Sequence, residues 1–354
     1  MAYEYETGLI RVLEQRLVGN NEIERMLNAQ TPQDALNVLY DTELSDLVTE
    51  YKKPEEFEKI LHAEESRLKI FFDKTALDPA LKTMLYLEGD AYHLKHAVKK
   101  HFQEDISECR NAVFSLVSRE ELTKAWVLLK ELHDNEEEAE PHITEAIPQP
   151  IKALVTTTLG LLTEESSDPR TIEHRVDYAY FGTLASTAAK SSSRFLKQFV
   201  AFKIDRVNVR YLLRTLRTKK PQECDLSFWL PAGEITKEEI ELLAKEEASQ
   251  PFTDRLIDLV HTKFISGKEQ LELVTALKNY KDHNDLATLE RDFENTEIAF
   301  IRQARREVYG TAVVFGYWYA RLKAIENIHL IMAGKVNGLP GEEMRRRIRL
   351  PLTA

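Results

Sequence analysis

YLEGDAYHLKHAVK, residues 86–99, and AFKIDRVNVRYLLR, residues 201–214, share the pattern that decides how this chain is built. In both, an acid (Asp90 or Asp205) is followed three residues on by His93 or Asn208, then by an aliphatic residue, a base and further aliphatics. Residues at i and i+3 lie on one face of a helix, so each segment predicts a helix with two neighbouring polar groups set among apolar ones. A weaker third copy, RLKAIENIHLIMAGKVNG at 321–338, has Asn327 in the place of Asn208 and His329 at the basic position, but Ala324 where the acid would stand. Asp90, Asp205 and Ala324 are 115 and 119 residues apart.

A second marker keeps nearly the same interval. Ser118 with Glu121 and Thr236 with Glu239 each pair a capping hydroxyl with an acid three residues on, the sign of a helix start, and the two lie 118 residues apart. Self-similarity at a fixed interval points to repeated architecture. We therefore expect three helical units, residues 1–117, 118–235 and 236–354, each long enough to hold its own core. Repeats of this length do not fit a thin solenoid, whose units run roughly 20 to 45 residues.

Further helix starts are legible where an N-cap side chain precedes proline, at Thr31-Pro32, Asp78-Pro79 and Asp168-Pro169, and where Pro54 is followed by two glutamates. Between them the apolar spacing is helical, as in Leu9, Ile10, Leu13 and Leu17, and in a long run from Phe293 through Ile301 to Val308. The expected class is all-α. Ile151–Leu161 is the exception, because Val155 and three threonines favour a strand by propensity. HDNEEEAEPHITEAIPQP, residues 133–150, is acidic, holds three prolines and predicts an exposed loop within the second unit.

Composition narrows the function. The chain has 354 residues, 43% of them hydrophobic and 30% charged, a balance that supports packed cores under a charged surface. Its net charge of −11 would repel phosphate backbones, so nucleic acid is a poor partner. No stretch approaches the roughly 20 apolar residues of a membrane span, and the start MAYEYETGLIRVLEQ has acids where a secretory leader has bases, so a cytoplasmic location is expected. Cys109 and Cys224 stand far apart with no metal-binding spacing, which predicts reduced structural thiols.

Signs of catalysis are missing from the sequence. Glycine supplies only 12 residues, about half its usual share of roughly 7%, and no Walker loop, GxGxxG, HExxH or GxSxG motif occurs. His93, His96 and His101 fall on one predicted helix without the acids or cysteines to complete a metal set, so we expect no cofactor and no metal. Asp90, His93, Asp205, Asn208 and Asn327 read as structural polar contacts, since a feature present in every unit serves the unit's fold better than a triplicated active site would. The aromatic cluster Tyr309, Phe315, Tyr317, Trp318 and Tyr319 is expected to pack in a core. Arg345, Arg346, Arg347 and Arg349 form the strongest basic run; they suit a helix C-terminus, or they meet acids of a partner or lipid headgroups.

Three segments resemble the V-type ATPase subunit called C in bacteria and archaea and d in eukaryotes: LIRVLEQRLVGNNEIERMLNAQTPQDALNVLYDT from Leu9, DLSFWLPAGEITKEEIELLA from Asp225, and the C-terminal stretch LERDFENTEIAFIRQARREVYGTAVVFGYWYARLKAIENIHLIMAGKVNGLP from Leu289. The likeness extends over nearly the whole chain and is weakest near Glu136. It departs at Leu322 and Ala324, where the family carries acids. The resemblance implies a funnel of three helical domains with pseudo-threefold symmetry, a non-catalytic connector of the central stalk. Its partners would be the central shaft subunits and the membrane proteolipid rotor ring, with peripheral membrane association through the complex during ATP-driven H⁺ or Na⁺ transport. The competing readings are a generic helical adaptor for soluble proteins and an enzyme using Asp90, Asp205 or the histidines in a bundle.

Overall fold

A computed structural model describes residues 3–102, 112–135, 146–162, 168–245, 250–263, 268–349 and 351. Every regular element among them is helical. The α-helices are α1 (Glu4–Leu13), α2 (Asn20–Asn28), α3 (Pro32–Asn37), α4 (Ser45–Glu50), α5 (Phe57–Thr75), α6 (Pro79–Phe102), α7 (Arg119–Asp134), α8 (Gln149–Leu161), α9 (Pro169–Lys190), α10 (Arg194–Thr215), α11 (Lys237–Lys245), α12 (Phe252–Lys263), α13 (Lys268–His283), α14 (Leu286–Ile301), α15 (Thr311–Val336) and α16 (Gly341–Arg347). Short 3₁₀ turns join several of them. Among the described residues no helix is long and apolar enough to cross a membrane.

The predicted helix starts are built as their chemistry requires. The Thr31 hydroxyl accepts from Asp34 N at 3.1 Å, Asp168 from Thr171 N at 3.0 Å, and Asp78 from Ala80 N at 2.8 Å. Each satisfies an amide that the first turn leaves without a helical partner. Pro54 opens a 3₁₀ turn, Pro54–Glu56, that leads into α5.

Two expectations are corrected. Ile151–Leu161 is helical rather than a strand: Ile151, Leu154, Val155, Thr158 and Leu159 are buried at helical spacing, and that packing face overrides β propensity. The threonines adapt by turning their hydroxyls to the preceding turn, Thr156 to Lys152 O and Thr158 to Leu154 O, both at 2.8 Å. The run from Phe293 is not one helix to Val308. It ends at Ile301, tightens into a 3₁₀ turn over Arg302–Arg306 and leaves Val308 79% exposed before α15 begins. Of the stretch 133–150, His133 and Asp134 close α7 and Gln149 and Pro150 open α8, while Glu136 and its neighbours lie outside the described residues, as does Cys109.

Backbone contacts gather the described chain into two compact units, one of residues 78–242 and the other of residues 1–77 with 243–354. In the first, α6 packs against α7, α8 and α9, and α9 also packs against α8 and α10. Lys95 pairs with Asp177 at 2.5 Å, and Lys99 with Glu173, along the α6–α9 contact. In the second, α15 is the organising element. It packs against α1, α2, α3, α5 and α16, and it is apolar on nearly every side, the pattern of a helix enclosed by others. Phe315, Tyr317, Trp318 and Tyr319 are all buried in it, whereas Tyr309, outside the helix, is exposed.

Candidate interaction surfaces and internal clamps

The repeated polar positions all reach forward to backbone that follows their own helix. Asp90 on α6 accepts from Leu116 N at 2.9 Å and from Val117 N at 3.3 Å, just before the Ser118 cap of α7. Asp205 on α10 accepts from Glu234 N at 2.8 Å and Ile235 N at 3.0 Å, just before the Thr236 cap of α11. Both carboxylates are fully buried, a costly state that direct amide donors offset. Each helix therefore holds down the segment leading to the next helix start.

The residue three positions on works in the same way. Asn208 accepts from Leu230 N and donates to Leu230 O, each at 2.9 Å. Asn327 repeats this pair of bonds with Arg349, accepting from its N–H at 3.1 Å and donating to its carbonyl at 3.0 Å. The two partners lie the same number of residues, 22, beyond the asparagine. His93 accepts from Ala112 N through Nε2 at 2.9 Å. Burial holds its pKa below the ordinary histidine value, with Arg119 nearby adding to the effect, so the ring is kept neutral and able to accept.

Glycine makes this close approach possible. A Cβ on Gly233 would fall 2.2 Å from Asp205 Oδ1, and one on Gly89 would fall 2.0 Å from the Phe114 carbonyl oxygen. The capping boxes complete the junctions. Glu121 accepts from Ser118 N at 2.8 Å while Ser118 accepts from Glu121 N at 3.2 Å, and Glu239 and Thr236 do the same at 2.9 and 3.3 Å. The bond from Ser118 N draws the Glu121 carboxyl below its ordinary pKa.

A cluster that the sequence did not single out lies around α15. Arg321 donates to the Tyr317 hydroxyl at 2.7 Å, pairs with Glu64 of α5 and approaches Glu43 at 3.4 Å. Glu64 is 2% exposed and Arg321 7%. One oxygen of each acid, Glu43 Oε2 and Glu64 Oε2, is buried without a hydrogen bond among the described residues. Burial pushes both carboxyls above their ordinary value, and the Arg321 charge only partly opposes it. A helical Arg and two distant glutamates show no spacing by which the sequence could have paired them.

The four C-terminal arginines separate into two kinds. Arg345 pairs with Glu24 at 2.6 Å and reaches Asn28 at 2.8 Å, tying α16 to α2. Arg349 pairs with Glu294 of α14. Arg346 and Arg347 are exposed, with no ion pair or side-chain hydrogen bond among the described residues. No group of three or more metal-binding side chains occurs among the described residues.

Residues 7–347 match the sequence profile of the family described as ATP synthase (C/AC39) subunit. No curated protein is similar enough to the chain to be matched. With nearly its whole length covered, the chain belongs to that family.

Proposed function

We propose that this member of the ATP synthase (C/AC39) subunit family is the non-catalytic connector of a rotary ATPase, seating the central shaft on the membrane proteolipid ring. The observation that carries the reading is the family match from residue 7 to residue 347. A connector transmits torque, so it needs stiff helices and stiff junctions between them. Asp90, Asp205, Asn208 and Asn327 supply such junctions by bonding loop backbone to helix, which limits how far one helix can swing without breaking charge-assisted or paired hydrogen bonds. In this reading the three sequence repeats, 1–117, 118–235 and 236–354, form the walls of a funnel. The chain reaches the membrane surface only through its partners.

The test is affinity purification of the tagged chain from detergent-extracted membranes. Shaft subunits and the proteolipid should elute with it; recovery of the chain with neither would overturn the proposal. Alanine at both Asp90 and Asp205 separates the connector from an enzyme, because structural clamps lower thermal stability while leaving no turnover to abolish.

A further inference from the structure

Arg346 and Arg347 line a groove of about 850 Å³ whose other walls come from α14 and α15. The acids that share the groove are already engaged. Glu294 is held by Arg349, Glu326 by Lys323 at 2.6 Å, and Asp285 caps α14 by accepting from Ala287 N at 3.0 Å. Glu290 also has a partner. Among the described residues two guanidinium groups are thus left without an ion pair above a concave surface, in a chain whose net charge is −11.

We propose that this groove receives an acidic segment of a partner protein, whose carboxylates pair with Arg346 and Arg347. Adjacent helical side chains leave the axis about 100° apart, since a turn takes 3.6 residues, and both arginines nonetheless line this one groove. A segment carrying several carboxylates spans them. A bilayer is the poorer ligand, because a flat surface cannot enter the groove as an extended segment can. Arginine favours carboxylate through paired N–H donors in a planar fork. The assignment gives a chemistry to one partner face and does not rest on the rotor reading, since the probe below is not a rotor subunit.

The test uses the full chain and a fluorescein-labelled oligoglutamate peptide, read by anisotropy at low ionic strength. The double variant Arg346→Glu/Arg347→Glu should weaken binding about 10-fold or more, as expected for two partly exposed ion pairs replaced by repulsion. Arg305→Glu/Arg306→Glu, which reverses another exposed arginine pair, in the 3₁₀ turn before α15, should leave binding within about two-fold, as a change remote from the groove should. Circular dichroism checks that both variants stay folded. Equal losses in the two variants would mean nonspecific attraction and overturn the proposal, as would no binding at all. Arginine-dependent binding of phosphatidylglycerol vesicles or inorganic phosphate in place of the peptide would overturn it in favour of a phosphate ligand.

Discussion

Asp205 and Arg321 are both buried charges on long helices, yet they are satisfied in opposite ways. The Asp205 carboxylate is met by two backbone amides of a loop 29 and 30 residues further along the chain. Those amides carry no net charge, are supplied by any sequence that folds there, and would themselves need partners if buried. Arg321 is met by side chains from another part of the chain, Glu64 being 257 residues away, and one arginine faces two acids. The first arrangement is a local junction that can be copied from unit to unit. The second leaves carboxylate oxygens without hydrogen bonds and depends on tertiary packing to bring its members together.

That contrast is broken most severely by Arg321→Met, which leaves Glu43 and Glu64 with only the half-exposed Arg67, 3.8 Å from Glu64, as a nearby cation. Destabilisation of about 3–5 kcal/mol is expected, measured by urea unfolding at neutral pH. The pH response gives the sign. Both carboxyls already hold their protons to higher pH in the folded chain than their ordinary value of 4.5, so the folded state loses stability as pH rises above that value and regains it as pH falls. The deficit of the variant should therefore narrow on acidification, and adding Glu43→Gln and Glu64→Gln should recover much of it at neutral pH. A deficit independent of both pH and the paired substitutions would show that packing, not charge, holds the cluster.

Asp205→Ala should cost about 2–4 kcal/mol, because the buried Ile235 amide and the part-buried Glu234 amide lose their acceptor. Its specific signature is faster hydrogen exchange at Glu234 and Ile235, while the α15 cluster keeps its protection. If exchange rose equally throughout both regions, the clamp would not be local and the comparison would fail.

The smallest effect tests whether the copies are equivalent. His93→Asn installs in the first copy the residue that the second and third use at Asn208 and Asn327. Stability at neutral pH should change by no more than ~1 kcal/mol. In the native chain the depressed His93 pKa means that the unfolded state takes up a proton first, so its contribution is complete above the ordinary value of 6.5 and is lost as pH falls below it. The asparagine variant should lack that acid-side decline in Tm. An unchanged pH profile would show that Ala112 does not depend on a neutral ring.

The junctions were legible because they are written locally. Asp90, His93, Asp205 and Asn208 share a helical face, the capping boxes at Ser118 and Thr236 sit at nearly the same interval, and hydroxyl or carboxylate caps before proline have one geometric use. Ile151–Leu161 is helical against its strand propensity because propensity describes an isolated segment, while burial of Ile151, Val155 and Leu159 on one helical face describes its neighbours. Apolar spacing likewise continues past Ile301 to Val308, but the chain turns there to enter α15.

By itself, then, the sequence determined the all-helical class, most helix starts, the repeated acid-x-x-amide positions and the resemblance to a rotary ATPase subunit, because each depends on spacing along one chain. Only the tertiary structure decided which loop amides those acids hold, that Arg321 is shared by Glu43 and Glu64, and that Arg346 and Arg347 have no ion pair among the described residues while Arg345 and Arg349 are bound. The physical reason is distance in sequence. A side chain's partner is set by which helices pack together, and identical arginines in one run meet different neighbours once a turn of 3.6 residues points them in different directions.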